Sequence, residues 1–172
     1  MSCRDQPVCF KIYTTIKRFI IIKNKNGEIL KVDSHGRPEP VAYFHSYPSP
    51  QSETDRDGIN FCLVSYKKLL NIQTPEGIPI VFEITVNGLV YHMYCTEEGN
   101  RKVLKFKEGR APIRVHEDMK NLIFFQQVFD DIHYKFESAW ARGWFLGTEQ
   151  DGTFTLKEVQ ARDDETIAVS LE

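Results

Sequence analysis

No stretch of this chain stays apolar for long. The longest uninterrupted runs, Phe19-Ile20-Ile21-Ile22 and Leu122-Ile123-Phe124-Phe125, are strand-sized and far short of the ~18 residues that span a bilayer as a helix. No membrane partner is expected. The segment Met1 to Pro7 carries no apolar core of a secretory signal. The chain is therefore expected to stay in the cytosol or nucleus, or to leave by an unconventional route. Charge of one sign is also missing: 22 Lys and Arg stand against 24 Asp and Glu, for a net charge of −2. Acidic and basic residues alternate, as in Glu97-Glu98 before Arg101-Lys102. That is a solvated surface, not a nucleic-acid footprint.

The chemistry of enzymes is equally sparse. The four cysteines, Cys3, Cys9, Cys62 and Cys95, share no C-x-x-C spacing and read as reduced structural thiols. His35, His45, His92, His116 and His133 form no metal-ligand pattern. Glu137-Ser138 lacks the Gly-x-Ser-x-Gly turn of a hydrolase elbow. Gly99-Asn100-Arg101-Lys102 is a basic hairpin turn without the spacing of a phosphate-binding loop. No enzyme activity, cofactor or metal is expected.

What the chain does have is period-two patterning. Hydrophobic residues make up 41% and aromatics 12%, enough for a globular core. Short β-branched and aromatic runs predict twelve strands, beginning at Val8–Tyr13, Phe19–Lys23, Ile29–Val32 and Phe61–Tyr66. The series continues at Ile80–Val86, Leu89–Cys95, Val103–Lys107 and Leu122–Phe129, then His133–Ser138, Trp144–Thr148, Thr153–Val159 and Thr166–Leu171. Asn26-Gly27, Asn87-Gly88 and Asp151-Gly152 punctuate them as hairpin turns. Ser34–Gly58, with four prolines, reads as irregular surface whose Tyr43, Phe44 and Tyr47 pack in part on the barrel. Glu117–Asn121 is expected to form one helical turn. The expected organisation is a short tail, residues 1–7, and one domain, residues 8–172.

Three segments repeat. Phe10, Phe82 and Phe136 are followed by the aromatics Phe19, Tyr91 and Trp144, and then by the pairs Leu30-Lys31, Leu104-Lys105 and Leu156-Lys157. Twelve strands in three such units predict an all-β fold, a β-trefoil with a six-stranded barrel capped by three hairpins. A β-sandwich with accidental hairpin similarity is the alternative.

The third unit carries a family resemblance. Phe136-Glu137-Ser138-Ala139, then Gly143-Trp144-Phe145-Leu146-Gly147-Thr148, then Leu156, resembles the signature of the interleukin-1 cytokine family. Arg142 stands where the family usually has Pro, and Gly147 where it has Ser, Cys or Ala. Val103–Glu108, Asn121–Gln126 and Phe61–Lys67 are similar to the family's interleukin-18 branch. Gly143-Trp144-Phe145 with Thr148 lies nearer its interleukin-1 and receptor-antagonist branches.

The resemblance implies a secreted, monomeric, non-enzymatic ligand. Its partners would be an interleukin-1-family receptor ectodomain and, for an agonist, an accessory receptor chain. It would have a cytoplasmic pool before release. It also points to the N-terminal segment and to the connection around Lys67–Ile72 as receptor-facing. On that basis the candidates for contact are Arg4, Lys11, Lys67, Lys68, Leu69, Leu70, Lys105 and Lys107. A non-cytokine trefoil module, lectin or protease inhibitor, is the competing reading, although Trp140 has no counterpart in the other repeats. The acidic loop ending in Asp57-Gly58 is an expected protease target.

Overall fold

The computed structural model describes residues 8–34, 36, 38–46, 57–68, 76–161 and 164–172, with the side chains of residues 8, 9 and 11–15 excepted. Among them are fourteen strands. The first five are β1 (Val8–Ile20), β2 (Ile22–Asn24), β3 (Ile29–Asp33), β4 (Val41–His45) and β5 (Phe61–Lys68). Next come β6 (Ile78–Val86), β7 (Leu89–Glu98), β8 (Arg101–Glu108), β9 (Arg114–His116) and β10 (Phe124–Val128). The last four are β11 (Tyr134–Ser138), β12 (Trp144–Thr148), β13 (Phe154–Glu158) and β14 (Val169–Leu171). Short 3-10 helices cover Glu117–Leu122, where one helical turn was expected over Glu117–Asn121, and Glu165–Ile167.

The barrel closes on itself at one seam. Along the sheet, β2, β14, β11, β10, β6, β5 and β1 are neighbours in that order. The two ends of this path are the same stretch of chain, interrupted only at Ile21. Ile20 pairs with Phe61 on one side, and Ile22 pairs with Leu171 on the other. The Ile21 amide and carbonyl exchange hydrogen bonds with Glu172, both 2.9 Å. Six barrel strands result, β1/β2 counting as one, and no central edge is left exposed. This is the β-trefoil, and it sets the sandwich aside.

Three hairpins cap the barrel, and each delivers two inward cross-strand pairs. They are Leu30 with Phe44 and Val32 with Ala42 in β3–β4, and Met93 with Phe106 and Cys95 with Leu104 in β7–β8. In β12–β13 they are Leu146 with Leu156 and Thr148 with Phe154. At the barrel centre the Phe82 ring lies 4.9 Å from Phe136, 5.8 Å from Phe124 and 6.4 Å from Phe61, all tilted or edge-on. That is the geometry aromatic quadrupoles favour. The β6–β7 turn is tight because Asn87 and Gly88 both adopt positive φ, 50° and 81°, which matches the twist of the flanking strands.

The repeat read from sequence is right for the second and third units and out of register for the first. Phe82 and Phe136 share one core, whereas Phe10 is buried in a separate cluster with Val64, Val81, Val115 and Phe125. The barrel segment of the first unit is Ile20–Asn24, not Val8–Tyr13. Phe19, expected to pack like Tyr91 and Trp144, is instead 77% exposed. Leu30 is buried, but on the first strand of its hairpin, while Leu104 and Leu156 lie on the second. The cause is the N-terminal arm of β1, an extra paired segment that imitates a barrel strand. Two strands were also missed: β4, inside the proline-rich segment, and the short β9.

Truncating Phe136 to Ala should cost about 3–5 kcal/mol, since it empties the centre of an aromatic cluster. Urea unfolding measures it. A loss below about 1 kcal/mol would mean that the barrel core is not built around these rings.

Candidate functional site

Three basic residues stand in cross-strand register along β5, β1 and β9. Lys11 of β1 stands directly opposite Lys67 of β5 on one side and Arg114 of β9 on the other. Lys67 and Arg114 are exposed, and neither has an ion-pair partner among the described residues. Like charges directly opposite each other destabilise a sheet. Two of the expected contact residues, Lys11 and Lys67, are therefore brought together. A third cation, Arg114, was missed because it lies on a strand of three residues that has too little pattern to read.

Buried polar groups hold Arg114 in place. Three of them, Tyr66, Glu83 and His92, fasten the loop that leads into β9. The Tyr66 hydroxyl donates to the Pro112 carbonyl. The Ala111 amide donates to a Glu83 carboxylate oxygen at 2.5 Å, and His92 Nδ1 donates to the Gly109 carbonyl at 2.9 Å. Burial, with Glu83 nearby, pushes the Tyr66 phenol well above its usual range, so it stays a neutral donor. Each of these buried groups is satisfied by backbone, as interior polar atoms require.

Lys68 does not belong to the exposed row. It lies in β5 rather than in the following loop, and its ammonium bonds Glu76 at 2.8 Å and sits 4.9 Å above the Phe125 ring. Arg142 covers the same ring at 5.2 Å and bonds both Glu76 and Glu137. Glu137 also accepts from the Gly143 amide at 2.7 Å and from Gln127 at 3.0 Å. Burial alone would raise the Glu137 carboxyl, but the bonds from Arg142, Gly143 and Gln127 outweigh it and hold its pKa below the usual carboxylate range. Glu76 is held low in the same way by Lys68 and Arg142. Arg142, where the resembled family has Pro, thus ties the start of β6 to the β11–β12 turn.

The other expected residues divide. Lys105 on β8 is tied to Glu98, with Glu39 at 3.7 Å. Lys107, also on β8, is exposed and separate from the row. Arg4, Leu69 and Leu70 lie outside the described residues. The signature residues Phe136, Ser138, Leu146, Thr148 and Leu156 are buried, and Trp144 and Phe145 half-buried. Ser138 caps the turn by accepting from the Ala141 amide at 3.0 Å. Gly143 closes that turn. Gly147 lies inside β12, where a Cβ would come within 2.8 Å of the Lys157 stem. Cys95 is buried and its thiol is pushed up to about 12 by burial, which leaves it chemically inert.

Asp57 and Gly58, the expected protease target, are held by backbone bonds, while residues 51–56 of that loop lie outside the described residues. The Asp57 carboxylate accepts from the Asn87 amide at 3.0 Å. The Gly58 carbonyl accepts from the Val32 amide at 2.8 Å. Gly58 has φ +78°, and a Cβ there would lie 2.1 Å from the Val32 oxygen. Only glycine fits.

Comparison with known proteins gives this geometry its context. The family model described as Interleukin-1 / 18 matches residues 54–169. Interleukin-18 of Gallus gallus is 30% identical over 157 residues, covering 87% of this chain and 74% of the relative. Interleukin-18 of Felis catus is 24% identical, covering 88% and 75%. The crystal structure of chicken interleukin 1 beta superposes with a TM-score of 0.67 at 19% identity, covering 95% of this chain and 99% of that one. The NMR structure of the pro-inflammatory cytokine interleukin-36alpha gives 0.60 at 17%, covering 91% and 94%.

Replacing Arg142 by Gln should destabilise the fold by about 1–2 kcal/mol at neutral pH, the scale of hydrogen bonds to charged groups at a half-exposed site. The lowered carboxyl pKa values of Glu76 and Glu137 give stability that is present above their unfolded value of about 4.3. That stability is lost as pH falls through the lower folded values. The gap between wild type and Arg142→Gln should therefore narrow on acidification. Thermal unfolding from pH 7 to pH 3 measures it, and a constant gap would place the arginine outside the carboxylate network.

Proposed function

Because the chain belongs to the interleukin-1/18 family, we propose that it is a cytokine that docks on receptor through the basic row of Lys11, Lys67 and Arg114. It acts in immune signalling as an extracellular ligand, and its function is recognition rather than catalysis. The partner is an immunoglobulin-like ectodomain that offers an acidic face. One observation carries this choice of surface: three cations in direct cross-strand register, held at a cost to the sheet. An acidic partner would remove that repulsion on binding and steer the encounter. The free ligand is a monomer, and an accessory receptor chain completes the signalling complex.

Unconventional release, from a cytoplasmic pool, belongs to the same proposal. The unpaired thiols of Cys62 and Cys95 suit a reducing compartment before release. A lectin-like reading finds little support. Trp140 is only 37% exposed, and the Lys102 ammonium lies 6.0 Å over its ring.

The test is surface plasmon resonance against a panel of interleukin-1-family receptor ectodomains. Charge reversal of Lys67 and Arg114 to Glu should slow association about tenfold at low salt, less at high salt. Thermal stability should hold or rise slightly, because the reversal relieves like-charge contacts. Unchanged association rates, with the fold intact, would remove the row from the interface.

A further inference from the structure

Asparagine stands before glycine twice in the chain, at Asn26-Gly27 and Asn87-Gly88. The pair is chemically labile, because the glycine nitrogen can attack the asparagine side-chain carbonyl with no Cβ in its way. Asn24, Asn60, Asn71, Asn100 and Asn121 precede Lys, Phe, Ile, Arg and Leu, whose side chains crowd that approach.

The structure separates the two turns. At Asn26 the nucleophile is occupied, since the Gly27 amide donates to the Asn24 carbonyl at 3.0 Å. The Asn26 amide donates to Asn24 Oδ1 at 3.0 Å, and Asn24 is itself buried, so the whole turn is anchored. At the β6–β7 turn Asn87 and Gly88 are both exposed. Neither the Gly88 amide nor the Asn87 side chain has a hydrogen-bond partner among the described residues. A Cβ at Gly88 would meet no atom within 4 Å, so its peptide has room to rotate. This turn is held by the pairing of Val86 with Leu89 and by the Asn87 amide, which donates to Asp57 at 3.0 Å. Neither restraint uses the Gly88 nitrogen.

We infer that Asn87 is a deamidation site, and that its conversion loosens the tie between the β6–β7 turn and the entry to β5. The Gly88 nitrogen, as its anion, bonds to Asn87 Cγ, and the Cγ–Nδ2 bond breaks. Ammonia leaves with the amide proton, and a five-membered succinimide remains. Water then opens the ring, at Cγ to give aspartate or at the main-chain carbonyl to give isoaspartate. No oxidant or reductant takes part. Either product adds a negative charge beside the Asp57 carboxylate, and like charges repel. Isoaspartate also adds a methylene to the backbone, which spoils the turn geometry that the hairpin needs. Asp57 precedes Gly58, whose carbonyl accepts from Val32, and β5 begins at Phe61. The modification therefore acts at the entry to a strand that pairs with both β1 and β6.

The full chain, aged at physiological temperature, tests this by peptide mass spectrometry and isoaspartyl methyltransferase labelling. Asn87 should convert at least fivefold faster than Asn26. Its conversion should be about tenfold faster at pH 8 than at pH 7, because the attacking species is the amide anion. Isoaspartate should exceed aspartate among the products. An Asn87 that survives, or that converts no faster than Asn26, would overturn the inference. Asn87→Asp supplies one product directly, in a residue type that tolerates positive φ. It should lower the Tm by about 2 °C, and the drop should at least halve when Asp57 is also replaced by Asn. No drop, or an equal drop in both backgrounds, would overturn the link to Asp57 and β5.

Discussion

Backbone pairing on both sides of the Ile20–Ile22 segment is the constraint on which the rest of the structure depends. A sheet of this size left open would expose two edges of unpaired amides and carbonyls. Here one segment serves as both edges, with Phe61 on one flank, Leu171 on the other and Glu172 bonded at Ile21 itself. Once the ring is closed, Phe61, Phe82, Phe124 and Phe136 fill its centre and the three hairpins cover one end. The N-terminal arm of β1 is then free to pair outside the barrel, between β5 and β9. The proposed contact surface, the basic row, is completed by that arm, which sets Lys11 between Lys67 and Arg114.

Polar groups inside this molecule organise loops rather than chemistry. Tyr66, Glu83 and His92 are spent on backbone atoms of the segment from Gly109 to Pro112. That segment in turn leads into β9, which carries Arg114 of the basic row. The Glu137 carboxylate gathers Arg142, Gly143 and Gln127 and so fixes the β11–β12 turn. Unpaired, either carboxylate would be costly to bury. Paired, each converts a flexible connection into a fixed one, and a rigid surface loses less entropy on binding.

Much of the fold was legible because it rests on local signals. Period-two runs locate most strands, Asn26-Gly27, Asn87-Gly88 and Asp151-Gly152 mark the β2–β3, β6–β7 and β12–β13 turns, and Phe82 with Phe136 locates the barrel layer. The signature around Gly143 and Trp144 locates the third unit. What escaped depended on pairing between distant segments. Phe10 looked equivalent to Phe82 because an arm strand and a barrel strand share one hydrophobic pattern, and only the partners β5 and β9 tell them apart. β4 was hidden among prolines that lie outside its five residues. The site was half legible: Lys11 and Lys67 were named, but their register with Arg114 is a tertiary fact. Lys68 could not be separated from Lys67 by type. Its neighbours Glu76 and Phe125 are remote in sequence, and they take it out of play.

The central claim is that the β5–β1–β9 row faces the first receptor chain. Lysine footprinting by reductive methylation, comparing the free protein with its binary receptor complex, tests it most directly. The account predicts that Lys67 loses its reactivity in the complex while Lys157, on the third hairpin, keeps it. Protection of Lys157 with Lys67 still fully reactive would contradict it.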